Sequence, residues 1–331
     1  GRDWSALVKH NQPDFDVFAI DANLPATGPF TVTPYAHVGT LNNNLVVNPV
    51  TNQVYVTNTD SLNQIRFEGP GVHGGSTTQG QAVRHRITVI DPTTGTVSPK
   101  FVNQHVDFTQ LHTDPGADHA AIDAQKQHSL ATLLEIVVSS DGSTVYTVAQ
   151  GSNKIGVFPA SVLEAPNFAT QYDPTVGSAS YIPTGRGPSG LVLDEVNQKV
   201  YVYARFDNRV EAIDLSSGAR LQALAMHNPE SEAIIEGRIF QYDANLTSGN
   251  GTQSCNGCHF SMGADGLAWD LGNPDGEVTF NTQPSAVAIL PAQPTFHPMK
   301  GAMRTQPLRG LAVSGSMHWR GDRVAGHFGQ D

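Results

Sequence analysis

Apolar and polar residues alternate along much of this chain in short runs, and each run stops at a cluster of Asn, Asp, Gly or Thr. One run reads Leu45-Val46-Val47-Asn48-Pro49, turns at Val50-Thr51-Asn52-Gln53, and continues as Val54-Tyr55-Val56-Thr57-Asn58. After a gap it closes with Arg86-Ile87-Thr88-Val89-Ile90-Asp91 before Thr94-Gly95. A second copy runs Glu135-Ile136-Val137-Val138, Val145-Tyr146-Thr147-Val148 and Lys154-Ile155-Gly156-Val157-Phe158, with its turn at Ser140-Asp141-Gly142-Ser143. A third runs Gly190-Leu191-Val192-Leu193-Asp194, Lys199-Val200-Tyr201-Val202-Tyr203 and Arg209-Val210-Glu211-Ala212-Ile213-Asp214 before Ser217-Gly218. Period-two alternation of β-branched residues between such turns predicts strands, and recurrence of the unit predicts a repeat architecture. Asp16-Val17-Phe18-Ala19-Ile20-Asp21 reads as the last strand of a preceding copy.

Short strands with tight turns suit the four-stranded blade of a β-propeller, in which each blade buries its faces only against its neighbours. The expected fold is therefore mainly β, a partial propeller over residues 1–225. An open β-sandwich is the competing architecture. Val54-Tyr55-Val56-Thr57-Asn58 matches the signature of YVTN-type β-propeller repeats, and the resemblance covers about residues 14–225. It implies seven blades in the complete ring. Three and a fraction blades cannot close one, so the remaining blades, or another chain, would complete it. Tyr55 to Tyr146 spans 91 residues and Tyr146 to Tyr201 spans 55, against about 40 to 45 for a compact blade. The excess falls in insertions at residues 69–84 and 101–130. The second insertion carries His105, His112, His119 and His128 with Asp107, Asp114 and Asp118. Four imidazoles could build a metal site, but without a tight ligand motif they read better as a polar surface loop.

From residue 226 the repeat disappears. Asn228-Pro229-Glu230-Ser231-Glu232 reads as a helix cap with Pro at the first helical position and acids in the first turn. The helix runs to about Tyr242, with Ala233, Ile234, Gly237 and Phe240 at helical spacing. Residues 226–331 are thus expected to form a small α-helical and loop-rich domain.

That domain contains the two cysteines of the chain, in Cys255-Asn256-Gly257-Cys258-His259. Two thiols at this spacing can add across both vinyl groups of one porphyrin, and the next residue then lies beneath the iron. Zinc would need further sulfur or imidazole ligands at similar spacing, and a redox dithiol would sit in a βαβ pattern; neither is present. The expectation is one covalent haem c, bound through Cys255 and Cys258 with His259 as axial ligand. Arg309 is the candidate partner of a haem propionate, because a guanidinium binds a carboxylate in bidentate fashion. Candidate sixth ligands are Met303, Met299, His297 and His318, whereas Met262 is too near His259 to reach the other face of the ring.

Glu236-Gly237-Arg238-Ile239-Phe240, the Cys-Asn-Gly-Cys-His run, Met303-Arg304-Thr305-Gln306-Pro307-Leu308-Arg309-Gly310-Leu311 and Met317-His318-Trp319-Arg320-Gly321-Asp322 follow one another here. Over residues 230–325 this order is similar to the di-haem cytochrome c peroxidase and methylamine-utilisation family. Gly310 stands in place of the family's Asn, Trp319-Arg320 is inserted, and there is one haem motif rather than two. The resemblance implies Met303 as the sixth ligand, with Met299 or His318 as alternatives. Peroxidase activity does not carry over, because the family uses two haems.

A net charge of -11 argues against a nucleic-acid partner and would steer a redox partner with a basic docking surface. No stretch approaches the roughly 20 apolar residues that span a bilayer. No signal-peptide hydrophobic region begins the chain, yet covalent haem implies export to the periplasm or beyond, and processing, or a chain that begins partway through a longer one, would explain the difference. With both cysteines on haem, no disulfide is expected. Asp265, Asp270 and Asp275 among glycines raise the idea of calcium, which ordinary solvated turns explain as well. The expected function is single-electron transfer. The alternatives are a peroxidase-like enzyme with an open iron, and a propeller binding module with an accessory haem.

Overall fold

The computed structural model describes residues 14–23, 27, 31–66, 78, 80–110, 116–175, 181–271, 279–280, 295–296 and 301–311. A two-stranded ribbon of β1 (Val17–Ile20) and β2 (Val32–Tyr35) comes first. Three four-stranded antiparallel meanders follow. The first is β3 (Leu41–Val47), β4 (Val54–Ser61), β5 (Val83–Asp91) and β6 (Thr96–Phe101). After α1 (His119–Gln127), the second is β7 (Leu133–Val138), β8 (Thr144–Ala149), β9 (Lys154–Pro159) and β10 (Ile182–Pro183). Two short helices, α2 (Ala160–Glu164) and α3 (Phe168–Gln171), separate β9 from β10. The third meander is β11 (Pro188–Asp194), β12 (Lys199–Ala204), β13 (Arg209–Asp214) and β14 (Arg220–Ala225).

The sheets stack in series, with their first strands β3, β7 and β11 side by side. That is the arrangement of propeller blades around an axis, and it differs from the two facing layers of a sandwich. Blade one packs on blade two through Tyr55, Ile87, Val89, Leu133, Ile136 and Phe158. Blade two packs on blade three through Val148, Ile155, Leu191, Val200, Val202 and Ile213. The ribbon covers the far side of blade one, where Val17 and Tyr35 meet Val56 and Ile90. The chain is a mainly β, partial propeller followed by a small helical and loop-rich part.

That part holds α4 (Glu232–Tyr242), α5 (Ala244–Thr247), β15 (Ala268–Asp270), the pair β16 (Thr279–Phe280) and β17 (Thr295–Phe296), and β18 (Ala302–Arg304), which pairs with β15. No helix among the described residues is long and apolar enough to cross a membrane.

Several expectations need correction. The insertion at 101–130 is not all loop, because Asp118 caps α1 by accepting the Ala121 N–H at 3.0 Å. The insertion placed at 69–84 ends earlier, since β5 begins at Val83. The preceding copy contributes a ribbon of two strands rather than Asp16–Asp21 alone. The N-cap of α4 is Ser231, not Asn228, whose Oδ1 instead accepts the Glu230 N–H in a turn. The face predicted to pack, Ala233, Ile234, Gly237 and Phe240, is exposed, while Ile235, Arg238, Ile239, Gln241 and Tyr242 face the protein. Arg238 decides the orientation, lying 5.5 Å over the Phe206 ring and pairing with Glu230.

Candidate functional site

Cys255 opens a tight helical turn, with Cys258 N–H at 3.3 Å and His259 N–H at 2.9 Å from its carbonyl. This winding puts both sulfurs and the imidazole on one short turn. Asn256 stiffens it, since its Oδ1 accepts the Ser261 N–H at 2.9 Å and its side chain is buried. Ser261 and Met262 then take left-handed conformations, φ 50° and 63°. Such conformations are strained for residues with a Cβ, and here the surrounding contacts hold them. Leu308 N–H donates to Met262 O at 3.0 Å, and Arg309 Nη2 donates to Ser261 O at 3.2 Å.

Gln306, 47 residues downstream of His259, fixes the imidazole: its carbonyl lies 2.8 Å from His259 Nδ1. With Nδ1 donating to that carbonyl, Nε2 is left as the lone-pair nitrogen, the state an iron ligand needs. From the other side, Gln241 Nε2 donates to His259 O at 3.1 Å. The predicted residues Cys255, Cys258, His259 and Arg309 are therefore gathered in one place. Gln241, Asn256 and Gln306 were not singled out as functional, because their contacts are backbone bonds to a turn whose shape only the fold reveals.

The turn is docked on the propeller. Cys258 packs against Ala82, Val83 and Trp269, and Gln253 Oε1 accepts the Val83 N–H at 3.1 Å. Burial, the nearby Asp265 carboxylate and Cys255 push the Cys258 thiol up to about 12. Both cysteines are free thiols, Cys255 exposed and Cys258 half-buried. Further fastenings are Ala244 N–H to Gly151 O at 2.8 Å, Asn153 Nδ2 to Asp243 Oδ2 at 3.1 Å and Ser129 Oγ to Asn250 O at 2.7 Å.

Met303 sits half-buried on β18 directly opposite Trp269 of β15. Gln306 follows three positions later, at most about 10 Å of extended chain away. Met299, His297 and His318 lie outside the described residues, as do Trp319, Arg320, His112 and Asp114.

The other cluster readings do not assemble. His105 and His128 are neighbours, with ring centroids 6.5 Å apart, but His105 Nε2 is bound to Gln125 O at 3.1 Å. His119 begins α1. Among the described residues no group of three or more His, Cys, Asp or Glu is placed to hold a metal ion. Asp265 spends its carboxylate on the Leu267 N–H and the Trp269 Nε1–H, each at 2.9 Å, which explains the aspartate without calcium; Asp275 lies outside the described residues.

The residues present fit haem in two further respects. Ile234 (55% exposed), Phe240 (66%) and Leu246 (57%) leave apolar surface uncovered on α4 and α5, and α4 packs against the cysteine turn. Arg205, Arg238 and Arg309 all act on the Tyr242 hydroxyl against the upward pull of its burial, so three guanidiniums share this side of an acidic molecule.

No family model and no curated protein matches the chain. Solved structures that it resembles include Kuenenia stuttgartiensis hydrazine synthase (15% identity over 56% of this chain and 47% of that one, TM-score 0.38). Others are the Myceliophteria thermophila Cps50 (Swd1) β-propeller domain (12%, 64% and 54%, TM-score 0.35) and apo AztD from Citrobacter koseri (13%, 65% and 43%, TM-score 0.34). The chain spans about half the length of these structures, and likeness at this distance carries no argument about function.

Proposed function

We propose that the protein is an exported c-type cytochrome that passes single electrons through one haem held by Cys255, Cys258 and His259 on the rim of the propeller. The observation that carries this reading is the His259 imidazole, locked by the Gln306 carbonyl with Nε2 free, on the same turn as two unpaired thiols. When bound, the haem supplies a one-electron couple whose potential depends on its axial ligands and its burial. Gln306 orients the imidazole and raises its basicity, while Ile234 and Phe240 would offer apolar cover and Arg309 would be the partner of a propionate. Attachment of the turn to Val83 would hold the group on blade one. The net charge of -11 favours an electron donor or acceptor with a basic docking surface.

The test is expression in a bacterial periplasm alongside haem c maturation factors, followed by denaturation and extraction. Expected are one haem retained per chain and its loss in Cys255→Ala and Cys258→Ala. A wild-type chain that keeps no haem after denaturation overturns the reading.

Met303 is held on β18 opposite Trp269, and a second reading is that it stays there, so that the iron lacks Met303 as a sixth ligand and reacts with peroxide. The optical spectrum separates the two. A low-spin spectrum unmoved by cyanide or peroxide supports electron transfer; a high-spin spectrum that shifts on their addition supports the enzyme. If Met303→Ala abolishes a far-red sulfur-to-iron band, Met303 is the ligand despite its position.

A further inference from the structure

Gln241 is the one residue that α4 buries, and it is polar. A primary amide taken out of water costs free energy unless its own groups are bonded. Here the Nε2 donates to the His259 carbonyl at 3.1 Å. The same oxygen accepts the Met262 N–H at 3.0 Å, so two bonds converge on the peptide that carries the proposed iron ligand. The chain needs that hold. His259 is neither helical nor extended, with φ -100° and ψ 54°, and Ser261 and Met262 behind it are left-handed. Residues with a Cβ keep left-handed conformations only where neighbours impose them.

The two glutamines act on different parts of one residue. The Gln306 carbonyl, 2.8 Å from Nδ1, fixes the rotation of the ring, whereas the Gln241 amide fixes the peptide plane from which the side chain departs. Gln241 is itself carried by a helix fastened to blade three. Arg238 lies 5.5 Å over the Phe206 ring, the Phe206 and Tyr242 rings are 4.8 Å apart between centroids, and Arg186 pairs with Glu236 at 3.5 Å. A group that must be aimed is placed more precisely from a helix than from a loop. The imidazole, on a short turn, thus takes part of its direction from α4.

We propose that Gln241 is a positioning residue for the haem iron, holding the His259 backbone so that Nε2 keeps one direction toward the metal. This rests on the haem reading above and adds to it a residue from outside the cysteine turn whose loss changes the redox couple while leaving the thioether attachment intact. Partners that orient a ligand typically account for about 10- to 100-fold in metal affinity. An imidazole donates charge and favours the oxidised iron, so a looser one raises the potential.

The experiment compares the reduction potential of the full haem-loaded chain, and the electron paramagnetic resonance spectrum of its oxidised form, between wild type and Gln241→Met, which has the length of glutamine and no donor. Expected is a potential higher by about 59 mV for each tenfold by which oxidised iron loses affinity relative to reduced iron, with a displaced or broadened spectrum and the haem still covalently retained. Gln241→Leu, also without a donor, should behave alike and serves if Gln241→Met does not fold. Phe206→Leu loosens α4 on blade three but leaves the amide in place, so it controls for a merely structural effect and should keep both readouts at the wild-type values. Unchanged readouts in the Gln241 variants, or equal shifts in Phe206→Leu, overturn the proposal while the retained haem upholds the reading beneath it. A wild-type chain that retains no haem overturns that reading, and this inference with it.

Discussion

Tyr55, Tyr146 and Tyr201 occupy the same position in successive blades and have three different environments. Tyr55 is wholly buried: its hydroxyl donates to Glu164 of α2 and accepts from Asn48 Nδ2 at 3.0 Å. The same amide donates to Gly142 O at 3.0 Å, so one cluster ties the first blade to the turn of the second. Tyr55→Phe strips both neighbours of a partner, and a loss of about 1 to 3 kcal/mol is expected from urea midpoints. Tyr201→Phe, on an exposed face, should stay within about 0.5 kcal/mol. His85 makes a different argument. It is 1% exposed, the Thr132 N–H donates to its ring, and burial pushes its imidazole down to about 4. As pH falls from about 6.5 to about 4, the unfolded chain binds a proton that the folded chain refuses. Stability is therefore undiminished above this window and falls within it, by up to about 3 kcal/mol. His85→Asn, which keeps an acceptor for Thr132, should flatten the slope. Urea midpoints that decline equally in both proteins would assign the acid sensitivity to other groups.

At the scale of the element, α4 shows how two apolar stripes can compete for one core. Ile234 and Phe240 were legible as a helical face, but Ile235 and Ile239 lie on the other side, and the contact of Arg238 with Phe206 selects that side. Ile234→Ser is expected to change the stability of the haem-free protein by no more than about 0.5 kcal/mol while lowering the haem retained per chain. Haem retention unchanged in Ile234→Ser and Phe240→Ser would remove this face from the site. The turn before β11 is stricter. Gly187 has φ +62°, and a Cβ there would collide with the Phe206 ring. Gly187→Ala combines backbone strain with a clash in the interior, and a loss above about 2 kcal/mol is expected in thermal or urea unfolding. The strands themselves were readable where one side was buried. β13 matches its expected span at Arg209–Asp214, and β12 extends one residue past its expected end, to Ala204. β14 was missed because its residues are exposed throughout, leaving no burial period to read. α1 was missed because Ile122 is its one buried residue.

For the whole molecule, charge and shape make separate predictions. If the haem reading holds, electron exchange with a basic redox protein should slow as salt rises, because steering by a net charge of -11 is screened beyond a Debye length of about 8 Å at physiological ionic strength. Stopped-flow rates independent of salt would place the contact on an uncharged surface. The sequence alone determined the local features: the strand and turn rhythm of the blades, and a thiol, thiol, imidazole order whose chemistry depends on neighbours along the chain. Periods of two and spacings of three or four residues are set by backbone geometry, so they survive without tertiary context. Tertiary structure decided which apolar stripe of α4 turns inward and that Gln306 holds an imidazole 47 residues away. Those outcomes depend on contacts between distant segments, where burial and hydrogen bonding are settled only once the chain has closed on itself.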